Sequence, residues 1–256
     1  MGFIGGKLGY GVLKRLGSTG FEEVVDKGSY VGRSKLDALL GAGFWDDIKG
    51  KAVIDFGCGA GAQAVEMAQR GAARVIGVDI VERHLAVARE SAMQAGVDAR
   101  CVFAVSSAEP VDVIVAVDSF EHFSDPEGVL RAMRGSLKPD GCVHVSFGPT
   151  WYHPLGGHLF SVVPWAHLVF TEKALMRWRA DSRHDGATRF EEVEGGLNKM
   201  TLRRFERIVA ESPFRFEEFE AIPIRKLGFL QNRFTREFTT AIVRCKLVPR
   251  DGFLPV

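Results

Sequence analysis

The chain has little that would tie it to nucleic acid, to a membrane or to an oxidising compartment. Its 256 residues carry a formal charge of only +1, whereas a protein that holds nucleic acid by neutralising phosphates is usually more basic. Four cysteines, Cys58, Cys101, Cys142 and Cys245, form neither a CxxC pair nor a metal-ligand spacing, and they read as reduced thiols of a cytoplasmic protein. There is no repeat and no low-complexity tract. Residues 1–17, MGFIGGKLGYGVLKRLG, lack the continuous apolar stretch of a signal peptide, and Gly6 stands where a myristoylation pattern wants Ser or Thr. The most apolar later stretch, 151–170, is interrupted by Pro154, Pro164 and three histidines, which excludes a spanning helix. What remains is ordinary for a globular protein: 46% hydrophobic and 25% charged residues, enough for one sizeable core or for a core plus an insertion.

Hydrophobic patterning organises the first three fifths of the chain into alternating strands and helices. Leucines at helical spacing over 34–48 follow a candidate Ser34 cap. Strands are expected at 52–56, 74–79, 100–105, 111–118 and 141–147, and helices at 62–71, 81–96 and 125–138. The strands do not alternate cleanly between apolar and polar residues, so they predict a mostly parallel sheet covered on both faces, an α/β doubly wound fold. The rhythm breaks at 148–170, GPTWYHPLGGHLFSVVPWAHLVF, which reads as a loop or lid. A helix capped by Thr201 then spans 201–212, and 215–224 and 239–248 read as a closing pair of strands.

The segment most informative about chemistry is VIDFGCGAGAQAVEMA, residues 53–68. A glycine-rich turn between a strand and a helix lets a ligand approach the main chain. Gly57, Gly59 and Ala62 satisfy a loose dinucleotide pattern, but Asp55 stands two residues ahead of the glycines. A carboxylate there repels a pyrophosphate and favours an ammonium or sulfonium charge. No GK[ST] follows, so a Walker-type phosphate site is excluded. Asp79 closes the next strand, where an acid can accept hydrogen bonds from ribose hydroxyls. The alternative is that Asp55 and Asp79 are merely caps or turn residues.

With VIDFGCGAG (53–61), VIGVD (75–79) and DSFEHFSDPEGVLRAMRGSLKPDG (118–141), the chain resembles the class I S-adenosylmethionine-dependent methyltransferases, small-molecule enzymes of the ubiquinone-biosynthesis type in particular. The resemblance covers roughly 34–148, and the tail from about 197 onward, LNKMTLRRFERIVAES, is similar to the final helix of such enzymes. It implies a seven-stranded, mostly parallel Rossmann-like sheet with an antiparallel last strand, spanning 34–256. Residues 148–200 would form a lid insertion, and 1–33 an N-terminal extension that contributes to a substrate cap. It also implies S-adenosylmethionine as cofactor, with Asp55, Gly57, Cys58, Gly59 and Gly61 around the methionine moiety. Asp79 and Ile80 would lie at the ribose, Ser107 and Ala108 near the adenine, and Asp118 at the methionine end. Ser107 departs from the pattern, since an acid is common there.

On the substrate side, methyl transfer to a hydroxyl needs a proton acceptor, whereas an amine or carbon nucleophile can do without one. His122 and His158 are the candidate bases, an unperturbed imidazole titrating near neutrality. His122 can equally be a structural histidine that caps a turn beside Glu121. Trp151, Tyr152, His153, Phe160 and Trp165 are candidate acceptor-binding residues of an apolar pocket, or else core residues with histidines filling polar gaps. No HxxxH or HxH spacing supports a metal among His153, His158 and His167, and no metal site is expected. The same segment could instead touch a membrane surface. The function expected is O-methylation of a small, largely apolar or aromatic molecule. The rivals are C- or N-methylation, a cofactor-binding relative that transfers no methyl group, such as a pericyclase-type catalyst or a binding module, and an NAD(P) oxidoreductase.

Overall fold

The computed structural model describes residues 2–16, 34–41, 43–158, 163–193 and 196–252. Seven strands form one sheet in the order β3-β2-β1-β4-β5-β7-β6. They are β1 (Ala52–Phe56), β2 (Arg74–Val78), β3 (Cys101–Ala104), β4 (Val111–Val117), β5 (Leu137–Phe147), β6 (Phe214–Pro223) and β7 (Thr240–Pro249). The first five pair in parallel, and β7 runs antiparallel to both β5 and β6. The expected fold class is therefore the one observed, antiparallel last strand included.

Both faces of the sheet are buried because adjacent strand residues serve different cores. Val53, Val75, Val113 and Val115 belong to one cluster, with α2 (Lys35–Leu40), α3 (Phe44–Ile48), α4 (Ala62–Gln69) and α5 (Glu82–Gln94) packed over it. Ile54, Ile76, Ile114 and Val145 belong to the other, covered by α6 (Pro126–Ser136) and α9 (Leu202–Ala210). Each of these helices presents a short apolar stripe, Leu85, Ala88 and Ala92 in α5 and Leu202, Phe205, Ile208 and Val209 in α9, which is the spacing an amphipathic helix needs. Ser34 and Thr201 cap α2 and α9 through side-chain oxygens that accept from the amides of Asp37 and Arg204.

Two expectations need correction, and one helix had not been foreseen. The region 34–48 is two short helices, broken at Gly41, whose φ of 82° lies in the left-handed region. The glycine-rich start forms a helix, α1 (Gly6–Leu16), that buries Gly9 and Leu13. The insertion is more regular than a loop: it contains α7 (Ala166–Val169) and α8 (Glu172–Arg179). These pack with α1 in a third hydrophobic cluster that holds Leu13, Trp151, Phe170, Leu175, Trp178 and Phe190. Ile4 bridges to Phe170 in parallel, so the N-terminal segment is bound to the insertion.

Candidate functional site

The carboxyl ends of β1, β2 and β4 bring the glycine loop, Asp55, Asp79 and Asp118 together. Asp55 is 3% exposed. The amide of Ala64 in the first turn of α4 favours its ionised form, and Oδ2 has no hydrogen-bond partner. Burial pushes its pKa up to about 7, against the opposing pull of the Lys35 ammonium and the Ala64 amide. A buried carboxyl with an unused oxygen is suited to a donor that brings positive charge.

The loop amides answer the choice between a cationic and an anionic ligand. Those of Gly57 and Cys58 donate to the Val78 carbonyl at 2.8 and 3.0 Å, and that of Gly61 to the Cys58 carbonyl at 2.9 Å. The Gly59 amide donates to Asp79 Oδ2 at 2.9 Å. These four amides are therefore turned into the protein, whereas a phosphate cradle aims its amides at the ligand. Asp79 Oδ1 accepts from the Val81 amide at 2.8 Å, which leaves each oxygen a further lone pair for a hydroxyl donor. Gly57 takes a φ of 83°, and a Cβ on it would lie 2.9 Å from the Ser119 side chain; at Gly59, φ 50°, a Cβ would stand in open space. Gly59 is thus the glycine with an open approach, and Gly57 is required by the turn and by Ser119.

Beyond Asp79, Ile80 is 90% exposed and Val105, at the end of the neighbouring strand, is 55% exposed. Together they offer apolar surface at the mouth of the site. Ser107 is turned back into its own loop, where Oγ accepts from the Glu109 amide at 3.2 Å, and Ala108 is exposed. Cys58 is a core residue, 3% exposed, with its thiol pKa raised by burial. Asp118 ends β4 with a φ of 47° and pairs with Lys35 Nζ at 2.7 Å. Sequence reasoning missed Lys35: it follows a helix cap and belongs to no motif, and only the fold carries it to Asp118. Glu121 is also buried, with Oε1 accepting from the Gly148 amide at 3.4 Å and Oε2 unpartnered. Burial, reinforced by the Asp118 charge, pushes its pKa up.

The two candidate bases are neighbours, their rings 5.5 Å apart and edge to face. His122 Nδ1 lies 2.7 Å from the Gly196 carbonyl. A carbonyl can only accept, so Nδ1 carries the proton and Nε2 is left as an acceptor. His158 is held neutral, its pKa pushed down to about 3 by burial and by His122. The other lid residues divide. Trp151 is 4% exposed and lies in the third core, which argues for its reading as a core residue. His153 Nδ1 accepts from the Leu155 amide at 2.9 Å, and His167 Nε2 meets the Trp151 carbonyl at 2.6 Å, so both fill polar gaps. Trp165 donates to the Tyr152 carbonyl at 2.9 Å. Tyr152 lines a separate cavity of about 320 Å³ with Phe234 and Phe238. Phe160 lies outside the described residues.

The family model described as a methyltransferase domain matches residues 53–141. These residues carry a methyltransferase domain. It is 40% identical over 107 residues to a ubiquinone biosynthesis O-methyltransferase of Neisseria meningitidis serogroup C, a match over 39% of this chain and 45% of that protein. It is 42% identical over 105 residues to the one of Pseudomonas paraeruginosa, over 39% and 45%. The chain thus spans about half the length of the curated relatives it matches. In fold it is similar to an S-adenosylmethionine dependent methyltransferase from Mesorhizobium loti, with a TM-score of 0.52 and 17% identity over 80% of this chain and 93% of that one. The matched segment ends within β5, before the insertion. The cofactor, S-adenosylmethionine, fits the residues present: it brings an ammonium to a buried unpaired carboxyl and ribose hydroxyls to a second acid.

Proposed function

We propose that the chain transfers a methyl group from S-adenosylmethionine to an oxygen of a small, largely apolar or aromatic acceptor. The observation that carries this reading is the pairing of inward-turned loop amides with the unpartnered oxygen of buried Asp55. Asp55 would take the cofactor's ammonium, Asp79 its ribose hydroxyls, and the exposed side chains of Ile80 and Val105 would flank the adenine, with Ala108 beside it. Lys35 and Asp118 would border the methionine end.

The bound cofactor supplies an electrophilic methyl on a sulfonium. The protein's part is to desolvate and align the acceptor and to take its proton. His122 suits that task, since its Nδ1–H bond to Gly196 fixes the tautomer and leaves Nε2 as acceptor. His158, held neutral, would form a wall of the acceptor pocket. The cap over that pocket would be α1, α7 and α8. The O-methyltransferase relatives support oxygen as the methylated atom. Four free, buried cysteines suit a reducing cytoplasm, and among the described residues no helix is long and apolar enough to cross a membrane.

Titration calorimetry of the full chain with S-adenosylmethionine, S-adenosylhomocysteine and NADPH, followed by labelled-methyl transfer to a panel of catechols and phenols, tests the reading. Binding of the first two, no binding of NADPH and label on oxygen are expected. Tight NADPH binding without a response to S-adenosylhomocysteine overturns the cofactor assignment. Cofactor binding with label on nitrogen or carbon, or with no transfer to any acceptor, overturns the reaction alone.

A further inference from the structure

Away from the glycine loop, three residues distant in sequence converge under α3. His144 and Cys142 are two apart on β5 and therefore share one face of the sheet, and Asp47 reaches them from α3. His144 Nε2 lies 3.0 Å from Asp47 Oδ2 and 3.8 Å from Cys142 Sγ, and all three donor atoms fall within 4.8 Å of one another. Both contacts of the imidazole use the same nitrogen. A nucleophilic triad would need the carboxylate on one ring nitrogen and the thiol on the other, so a relay from Asp47 through His144 to Cys142 is excluded. Convergence of a sulfur, a nitrogen and an oxygen on one point is instead the geometry of a metal's ligands. A tetrahedral zinc with bonds of about 2.0–2.3 Å has ligand-to-ligand edges of about 3.3–3.7 Å, which small side-chain shifts would reach from the distances here.

We propose that Asp47, Cys142 and His144 form a binding site for a borderline-soft divalent metal ion, zinc above all. A cavity of about 610 Å³ opens beside the cluster, lined by Gly43, Phe44, Asp47, His144, Glu218 and Lys246 among others. It gives access and room for a water as fourth ligand. The Phe44 ring packs edge-on against His144 at 5.2 Å and holds the imidazole in its orientation. On loading, the Cys142 S–H bond breaks, its proton leaves to solvent and a sulfur–metal bond forms; His144 gives up the Nε2 proton it holds toward Asp47 and takes one at Nδ1 through solvent, so that the freed Nε2 lone pair binds the metal. Lys246 does not exclude the ion. Its ammonium is shared between Asp47 at 3.0 Å and Glu217 at 3.2 Å. Those two carboxylates and the new thiolate balance the ammonium plus a divalent cation, and exposed Lys51 adds only a solvent-screened charge. The spacing rules missed the site because a strand presents Cys-x-His on one face and the third ligand comes from a helix 95 positions earlier than Cys142. A metal here would clip α3, and with it the segment that delivers Lys35, to β5.

Cobalt titration of the full chain tests this, since a tetrahedral site with a cysteine ligand gives visible d–d bands and a near-ultraviolet thiolate charge-transfer band that zinc abolishes by competition. One equivalent should bind. Cys142→Ser should remove the charge-transfer band, and Asp47→Ala, at a half-buried helix position, should weaken cobalt binding by at least about tenfold, no less than the loss of a supporting partner costs a metal site. Circular dichroism reports whether each variant folds, and Asp47→Ala decides the matter if Cys142→Ser does not. Absence of the bands in the parent protein overturns the proposal, as does an undiminished charge-transfer band in folded Cys142→Ser or unchanged affinity in Asp47→Ala.

Discussion

Asp79 shows how one side chain can serve the turn and the ligand together. Its carboxylate holds the amides of Gly59 and Val81, and in the proposed complex its remaining lone pairs would take the ribose hydroxyls. In Asp79→Ala, S-adenosylmethionine affinity is expected to fall by about 1–3 kcal/mol, the scale of charge-assisted hydrogen bonds. Calorimetry on a variant with an unchanged melting profile checks it, and equal affinity would show that ribose binds elsewhere. The two histidines are expected to part company. His122→Gln should retain cofactor binding and lose about 10²–10⁴-fold in turnover, the range for a general base. His158→Gln should lose less, because an imidazole whose pKa is pushed down to about 3 is a poor proton acceptor at neutral pH. Single-turnover methyl transfer across pH 6 to 9 distinguishes them, and equal losses would refute the assignment. Gly57 corrects a simpler expectation: its hydrogen is needed by Ser119 and by a left-handed φ, so a side chain there breaks the turn before it meets any ligand.

Among the elements, the start of α9 is fixed from two directions. Thr201 caps it locally, accepting from the Arg204 amide at 3.1 Å. Glu237, 6% exposed in α10 (Arg236–Thr239), accepts from the amides of Leu202 and Arg203 at 3.0 and 2.8 Å. It thereby ties the β6–β7 connection to a helix that carries much of the second core. Glu237→Ala leaves one buried and one half-buried amide unpaired and should cost about 1–3 kcal/mol, against about 1 kcal/mol for Thr201→Ala, as read by denaturant unfolding. The Thr201 cap was legible because threonine directly precedes the helical pattern, and the Glu237 cap was not, since it acts across 35 positions. The same contrast runs through the chain. Strands β1 to β4 were visible because buried parallel strands are unbroken apolar runs between glycines and acids. Helix α1 was hidden by its glycines, which stability on α8 overrides. The site was legible where backbone geometry dictates residue type, at Asp55, Asp79 and the glycines. It was illegible where the fold alone makes neighbours, at Lys35, at Gly196 against His122, and for Trp151, an aromatic in a core that looked like one in a pocket.

For the whole molecule, buried ionisable groups oppose one another with pH. Burial lifts the pKa of Asp55 from an ordinary 3.8 to about 7. The folded state then holds a proton that the unfolded state has released, so its stabilising contribution is present below pH 3.8 and is lost as pH climbs toward 7. His158 and His153 fall to about 3 and about 4 from 6.5; their contribution is present above 6.5 and is lost as pH falls toward those values. Between about pH 4 and 6.5 the two effects run against each other, and the Asp55 loss is complete near pH 7, so melting scans from pH 8 to 4 should show a shallower fall on acidification in the unliganded protein than in its Asp55→Asn variant. An ammonium arriving at Asp55 favours the carboxylate, so cofactor binding should expel a proton below pH 7 and tighten as pH rises to that value, by up to about tenfold per unit. Calorimetry in buffers of different ionisation heat measures the expelled proton, and zero release at pH 6 would refute the role of Asp55.

The third hydrophobic core, built from α1, α7, α8 and Trp151, draws none of its buried side chains from the sheet. Substitutions there alter its shape without repacking the strands that carry Asp55 and Asp79, so selection can remodel this part while the rest stands still. On the proposed reading, joint replacement of α1 and of the α7–α8 insertion, which lie apart in sequence, would change which acceptor is taken and leave cofactor affinity in place.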